Sequence, residues 1–453
     1  MGLDALELLP AGPVRARLRA PASKSVTNRA LLCAALADGT SLLRDPLDSD
    51  DSQAMRAALV ALGAGIETEP ATGARIPAWR VTGTGGKLTV PVAPLDARAS
   101  GTTMRFLTAV ATLVPARGAA EPGPEPGPEP GPAVTITGRP GLLARPVGPL
   151  VTALRALGAA ITDQRGHPPV AALGGGLDGG AVTVDAAASS QFASAALLAA
   201  PYARHPVELR VTGLSAPAYV ELTAQVMRDF GAAVERDAAA WQVAADRPYQ
   251  ARELTVEYDA SAAAHLFAVA AATGGEVTVV NAPAGSWQPD AHLPAVLAAM
   301  GCAVRRDGAA LTVRGPQRLD PVDVDLAAMP DQVTTVAVLA ALAHGRSRLW
   351  GVAVARGHET DRLAALATEL AKLGIGVTEL PDGLIIDGGE PRGPALIDPH
   401  DDHRLAMAFA ALAARVPGVT IQQPGCIAKT YPGFWGDLAG AGVWVVTPGR
   451  GPA

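Results

Sequence analysis

Apolar and polar positions along this chain repeat one phrase. An amphipathic helix ends in Leu, Met or Phe followed by Gly; two residues later a β-branched residue opens a strand. The phrase stands at Leu62-Gly63-Ala64-Gly65-Ile66, Leu157-Gly158-Ala159-Ala160-Ile161 and Phe230-Gly231-Ala232-Ala233-Val234. It returns at Met300-Gly301-Cys302-Ala303-Val304 and Leu373-Gly374-Ile375-Gly376-Val377, with a weaker sixth copy, Leu438-Ala439-Gly440-Ala441-Gly442-Val443. Each glycine is the expected helix C-cap, where a positive φ carries no steric penalty. A period of about 70 residues is too long for a solenoid repeat and suits a compact supersecondary unit used six times.

A second helix-to-strand junction lies between these marks. It is seen at Ala37-Asp38-Gly39-Thr40-Ser41, Thr273-Gly274-Gly275-Glu276-Val277 and His344-Gly345-Arg346-Ser347-Arg348. Each unit therefore alternates two helices with several strands, which predicts an α/β fold with mixed sheets. Six units divide as three plus three, giving two similar domains, and 453 residues are too many for one ordinary core. The Glu-Pro-Gly-Pro run through 121–132 can form neither helix nor central strand and reads as an exposed loop without a chemical role.

Composition narrows the partners. Hydrophobic residues are 49% and charged residues 18%, enough for sizeable cores. Aromatics at 4% argue against a base-stacking surface, and a net charge of −6 disfavours nucleic acid or an anionic membrane. The three cysteines, Cys33, Cys302 and Cys426, are far apart and lack metal spacing, which fits a reducing cytoplasm. The N-terminal residues lack the pattern of a signal peptide. The long apolar run Val333 to Ala343 is too short to span a membrane and reads as a buried helix.

The cations are unevenly written: four lysines, Lys24, Lys87, Lys372 and Lys429, stand against 33 arginines. An ammonium is a compact point charge with rotatable donors that a guanidinium fork cannot copy. Lys24 and Lys429 lie in polar contexts, whereas Lys87 and Lys372 read as ordinary surface residues. Five segments concentrate polar groups: Ser23 to Arg29, Ser100 to Arg105, Ser189-Ser190-Gln191, Arg356 to Arg362, and His400 to Arg404. The first, second, third and fifth precede apolar helical runs, where free N–H groups and the positive dipole end favour anions. N-capping alone accounts for one serine of the pair Ser189 and Ser190.

His400 and His403 have the spacing of a metal pair, but the adjacent Arg404 and the lack of further soft ligands make that the minor reading. Thr82 to Leu88 resembles a P-loop only loosely, since no Ser or Thr follows Lys87. Lys24, Arg29, Arg105, Arg362, Arg404 and Lys429 predict a polycationic pocket in an acidic protein, hence small ligands carrying phosphate and carboxylate. Asp331 and Glu359 beside lysines suit proton transfer.

Ser23-Lys24-Ser25, Thr27-Asn28-Arg29, Gly101-Thr102, Met104-Arg105, Ser189-Ser190-Gln191, Pro330-Asp331, Glu359-Thr360-Asp361-Arg362, Asp402-His403-Arg404 and Ala428-Lys429-Thr430 together resemble the 5-enolpyruvylshikimate-3-phosphate (EPSP) synthase family. The matches stand in the family's order across nearly the whole chain. The resemblance implies two domains of three βαβαββ units each. One domain would be discontinuous, 1–21 plus 252–453, and the other would be 22–251, with Lys24 at the crossover.

It also implies transfer of the enolpyruvyl group of phosphoenolpyruvate to the 5-hydroxyl of shikimate 3-phosphate, releasing phosphate, with no metal and no organic cofactor. A cytoplasmic monomer is expected, whose domains close when shikimate 3-phosphate binds. By the same resemblance Lys24, Ser25, Arg29, Ser189, Ser190, Gln191, Ser215, Asp331 and His358 would hold shikimate 3-phosphate, with Tyr219 paired to Ser215. Lys24, Gly101, Gln191, Arg362, Arg404 and Lys429 would hold phosphoenolpyruvate. Asp331 would be the base, Glu359 with lysine help the acid, and Gly101-Thr102 would confer sensitivity to glyphosate.

Four positions depart from the family pattern. His358 stands for a frequent Lys, Val354 for an Asn, and Ala22 for a Gly. Gly141 stands where a phosphoenolpyruvate-binding Arg is usual, with Arg139 and Arg145 as the candidates to replace it. The alternatives are a non-catalytic phosphometabolite-binding paralogue and a UDP-N-acetylglucosamine enolpyruvyl transferase. The second needs a reactive cysteine in a Gly-rich loop, a context that none of the three cysteines has.

Overall fold

The computed structural model describes residues 5–9, 12–71, 76–116, 132–214, 216–237, 239–245 and 247–446. Ser215 and the Glu-Pro-Gly-Pro run up to 131 lie outside the described residues. The chain forms two compact units, Met1–Ser23 with Glu257–Ala453, and Lys24–Val256. The crossings differ by a few residues from those expected at 21/22 and 251/252. Ala22 bridges Tyr258 and the Ser23 amide donates to the Glu257 carbonyl at 2.8 Å, which keeps both with the first unit. Glu253–Thr255 pairs in parallel with Leu42–Arg44, which keeps that strand with the second.

Among the described residues six four-stranded sheets carry the repeat, three in each unit, and all share one pattern. An edge strand pairs in parallel with its neighbour, and two antiparallel strands follow. The fullest copy runs from strand Asp323–Asp325 through helix Val333–Leu342, strand Gly345–Trp350, helix Arg362–Ala371 and strand Gly376–Leu380 to strand Gly383–Gly388, a βαβαββ order. Ala5–Leu9 fills the sheet made by Ala395–Ile397, Val419–Gln422 and Trp444–Val446, so that sheet joins the chain's two ends.

The first helix of each copy is buried nearly all round, as expected for a core helix. Ala260–Thr273, Val333–Leu342 and His403–Ala413 pack on one another in the first unit. Their counterparts in the second are Lys24–Leu36, Gly101–Val110 and Gln191–Ala199, the last two packed together. Five of the marker glycines adopt positive φ, from 78° at Gly374 to 106° at Gly63. The sixth copy is corrected: Gly440 ends helix Phe434–Gly440, and the positive φ of 89° falls on Gly442.

The pattern left another repeated glycine unread. Gly83, Gly174, Gly315 and Gly388 each close or follow the last strand of a copy, and their backbones press on carbonyls at the end of that copy's helical segment. A Cβ at Gly388 would stand 2.1 Å from the Ala340 carbonyl oxygen, whereas at Gly389 it would meet nothing within 4 Å. Gly388→Ala is therefore expected to destabilise by about 1–3 kcal/mol, the usual cost of overpacking. Thermal unfolding checks this, with Gly389→Ala as the silent control.

Candidate active site

The N-terminal ends of helices Val333–Leu342, Arg362–Ala371 and His403–Ala413 carry the polar cluster of the first unit. Asp331 lies in the turn Pro330–Gln332 that leads into Val333–Leu342. Arg404 sits in the first turn of His403–Ala413, capped by Asp402, whose side chain accepts from the Arg404 amide at 2.8 Å. Arg362 opens helix Arg362–Ala371 behind the cap Asp361. Arg362 is 1% exposed and acts as the hub. It donates to Asp402 through Nε at 2.7 Å and Nη2 at 3.3 Å, to Asp331 through Nη1 at 2.7 Å, and to Glu359 through Nη2 at 3.0 Å. Arg404 Nη2 donates to the other Asp331 oxygen at 2.7 Å, and Lys429 is hydrogen-bonded to Glu359.

Burial by itself would raise the Asp331 carboxyl. The guanidiniums of Arg404 and Arg362 outweigh it and hold Asp331 well below the usual carboxylate range. Burial, reinforced by Arg362, lowers His358 to about 4. Its Nδ1 lies 2.8 Å from Arg362 Nη1. Because a guanidinium only donates, Nδ1 must accept, which puts the His358 proton on Nε2.

Behind Asp331 lie two groups that the motif reading did not select. Asp290, 1% exposed and hydrogen-bonded to Ser261, is pushed up to about 6 by burial and by the charge of Asp331. His265 is fully buried and lowered to about 3 by burial, then by Arg404 and Arg362. Asp290 ends the mixed segment Ser286-Trp287-Gln288-Pro289-Asp290, which carries no charge pattern, and His265 sits mid-helix among alanines.

The second unit has its own cluster, again at helix starts. Lys24 is the first residue of Lys24–Leu36 and lies 3.2 Å from Asp51. Gly101 opens Gly101–Val110, with the Ser100 side chain accepting from the Thr103 amide at 3.2 Å. Gln191 opens Gln191–Ala199, and its backbone amide donates to the Ser189 hydroxyl at 3.2 Å, whereas Ser190, at the N-cap position, makes no side-chain cap bond of the kind expected. Gln191 in turn accepts from Arg105 Nη1 at 2.7 Å and donates to Thr102 at 3.3 Å.

Arg29 is more deeply set than a surface ligand would be. It is 2% exposed, with Nε on the Thr223 hydroxyl at 2.7 Å and Nη1 and Nη2 on the Ser25 and Tyr219 carbonyls at 2.9 and 3.3 Å. Burial lowers its pKa to about 10. Ser25 is half-buried beside it, and Ser190 is buried.

The profile model that describes EPSP synthase (3-phosphoshikimate 1-carboxyvinyltransferase) matches residues 9–438. The chain belongs to the EPSP synthase family. It is 41% identical over 436 residues to a 3-phosphoshikimate 1-carboxyvinyltransferase of Methanosphaerula palustris, covering 95% of this chain and 98% of the relative. An equally named protein of Methanoculleus marisnigri is 41% identical over 439 residues, covering 95% and 98%. The solved EPSP synthase of Acinetobacter baumannii superposes with a TM-score of 0.79 at 25% identity, over 98% of this chain and 99% of that one. The enolpyruvyl transferase NikO from Streptomyces tendae shares the fold at a TM-score of 0.75 and 19% identity, over 98% and 99%.

Within this EPSP synthase family member several sequence readings change. Lys372 lies at the surface as expected, but it is tied down there: it donates at 2.6 Å to Glu369, which is 1% exposed, and at 3.0 Å to the Leu396 carbonyl. His400 turns to the same Glu369, at 3.3 Å, while His403 is buried at the start of its helix. Among the described residues no group of three or more His, Cys, Asp or Glu is placed to hold a metal, and no helix is long and apolar enough to cross a membrane. Burial pushes the Cys302 and Cys426 thiols up to about 12 and Cys33 higher still, so none is a thiolate at neutral pH.

Proposed function

We propose that this chain catalyses transfer of the enolpyruvyl group of phosphoenolpyruvate to the 5-hydroxyl of shikimate 3-phosphate, with release of phosphate. The observation that carries the reading is Asp331 held at both oxygens by Arg362 and Arg404, beside the Glu359–Lys429 pair. Paired carboxylates among guanidinium and ammonium groups suit an addition–elimination on an anionic substrate. The 5-hydroxyl oxygen bonds to C2 of phosphoenolpyruvate as its proton passes to Asp331, while the methylene carbon takes a proton that Glu359 relays from the Lys429 ammonium. The leaving phosphate then takes the proton from Asp331 and a methyl proton returns through Glu359 to Lys429, which restores the double bond with no net change in protons on the enzyme.

Asp331 as it stands is a poor base because two guanidiniums hold its charge. An incoming phosphoenolpyruvate carboxylate competes for Arg362 and Arg404. Each arginine that turns to the ligand returns basicity to Asp331, so binding of one substrate prepares the base for the other. Lys24, Gly101, Gln191 and Lys429 complete the proposed phosphoenolpyruvate set. Lys24, Ser25, Arg29, Ser189, Ser190, Gln191, Asp331 and His358 form the shikimate 3-phosphate set. His358 is neutral above about pH 4 and offers Nε2–H, so it serves a hydroxyl or phosphate oxygen as a donor without the charge a lysine would bring.

Phosphate release by the purified protein tests the reading. Release is expected only with both substrates, and Lys24→Met should lower it by about 10²-fold or more, as for loss of a charged transition-state contact. Tight shikimate 3-phosphate binding without any phosphate release by the wild type would instead identify an inert binder.

A further inference from the structure

Helix Arg362–Ala371 carries a second buried charge about two turns beyond Arg362, in an unfavourable place. Glu369 is 1% exposed and stands in the last turn, where the negative end of the helix dipole disfavours a carboxylate. Burial adds a desolvation cost. Packing alone would be served by an apolar residue of similar volume.

Both oxygens of Glu369 are engaged, and their partners converge on one stretch of chain. Oε2 accepts from Lys372 Nζ at 2.6 Å and from the Asp398 amide at 3.0 Å. Oε1 faces His400 Nε2 at 3.3 Å; since a carboxylate accepts, that nitrogen carries the proton. Lys372 reaches on to the Leu396 carbonyl at 3.0 Å. Leu396, Asp398 and His400 are thus gripped from the end of one helix.

The gripped stretch has a backbone that local preference would not choose. His400 and Asp401 are successive non-glycine residues in the left-handed region, with φ of 51° and 56°. Such strain persists only where surrounding contacts over-determine it. The His400 amide donates to Asp398 Oδ1 at 2.7 Å and the Asp402 amide to the Pro399 carbonyl at 2.8 Å, which closes the turn. The chain then enters Asp402, which is fully buried, accepts from Arg362 Nε at 2.7 Å and caps the helix that carries Arg404. Residues seven apart share a helix face, so Arg362 and Glu369 hold the same stretch at two points.

We propose that Glu369 is a positioning residue for phosphoenolpyruvate: by fixing segment 396–401 it sets where Asp402, Arg362 and Arg404 stand. The proposal rests on the function proposed above, in which those two arginines receive the ligand. Glu369 itself touches no reacting atom. Without its grip His400 and Asp401 relax towards ordinary backbone angles, Asp402 shifts, and the arginines lose the alignment that a forked grip on an anion requires.

Steady-state kinetics of Glu369→Ala, Glu369→Gln and the double variant Glu369→Ala/Asp401→Gly, each well below its thermal transition, test it. Glu369→Ala is expected to raise KM for phosphoenolpyruvate about 10-fold and to change kcat by less than about threefold, the split for lost binding rather than lost chemistry. Calorimetric affinity for shikimate 3-phosphate should stay within about threefold, since most of its proposed ligands lie in the Lys24–Val256 unit. Glu369→Gln keeps an acceptor for the Asp398 amide but loses the charge that faces Lys372, so it should fall between. Asp401 is exposed, and glycine enters the left-handed region without a Cβ penalty. Asp401→Gly should therefore restore most of KM in the Glu369→Ala background and be silent alone. Gly388→Ala, which loosens the same unit elsewhere, is the control and should leave KM unchanged.

A folded Glu369→Ala enzyme with unchanged KM for phosphoenolpyruvate would overturn the proposal. So would an equal rise in Gly388→Ala, or a rise that Asp401→Gly does not reverse, since both mark general loosening. A wild type that releases no phosphate overturns the functional reading itself, which keeps the two failures distinct.

Discussion

Arg362→Met is expected to destabilise the protein by about 3–5 kcal/mol, the usual cost of removing one partner from buried ion pairs. Arg362 is 1% exposed and serves Asp402, Asp331 and Glu359 together, so the variant leaves three carboxylates short of one cation. The thermal transition should drop on the order of 10 °C. Arg346→Met is the control: its pair with Asp387 is more than half exposed on the arginine side, and such pairs contribute only about 0–1 kcal/mol.

The pH dependence has a definite sign. Asp331 has a depressed pKa in the folded protein, so its contribution is present above the unfolded carboxyl value of about 4 and is lost as pH falls. His358, lowered to about 4 from an ordinary value near 6.5, likewise contributes above that ordinary value and loses its contribution as pH falls towards 4. Both losses run in the same direction on acidification. Since both shifts depend on Arg362, the stability gap between wild type and Arg362→Met should be widest near neutrality. Denaturation at pH 7.5, 5.5 and 4 would show it; a gap that widens on acidification would contradict the hub role.

Asp331→Asn is expected to lower kcat by about 10²- to 10⁴-fold, the range for loss of a general base. Affinity for phosphoenolpyruvate should hold or rise. Asparagine cannot carry the charge that now competes for Arg362 Nη1 and Arg404 Nη2, both at 2.7 Å, so both arginines become more available to the ligand. A lower kcat with unweakened phosphoenolpyruvate binding separates this role from simple disruption of the site. A variant that keeps kcat within about threefold of wild type would remove Asp331 as the base, since even the low end of such catalysis is larger.

The architecture was readable because its signals are local. A glycine C-cap after an apolar helix turn and a β-branched strand opening depend only on residues a few positions apart, so the six copies stand out in one chain. The exception, Gly442 in place of Gly440, lies in the weakest copy, where two glycines satisfy the same local rule. The polar segments were readable too, since cations and hydroxyls before apolar helices are uncommon in so apolar a chain.

What the local pattern could not contain were groups made important by their neighbours. Asp290 and His265 have shifted pKa values because folding buries them and brings Asp331 and Arg404 into range, across dozens of residues of sequence. Gly388 is needed because two helix carbonyls approach it, and Lys372 because a buried Glu369 lies within 2.6 Å. Arg362 shows the division most plainly. Local pattern was enough to mark it as one cation of a polar segment at a helix start. Folding alone made it a hub, because Asp331 and Asp402, 31 and 40 residues away along the chain, come within 2.7 Å of its guanidinium only when the first unit has packed.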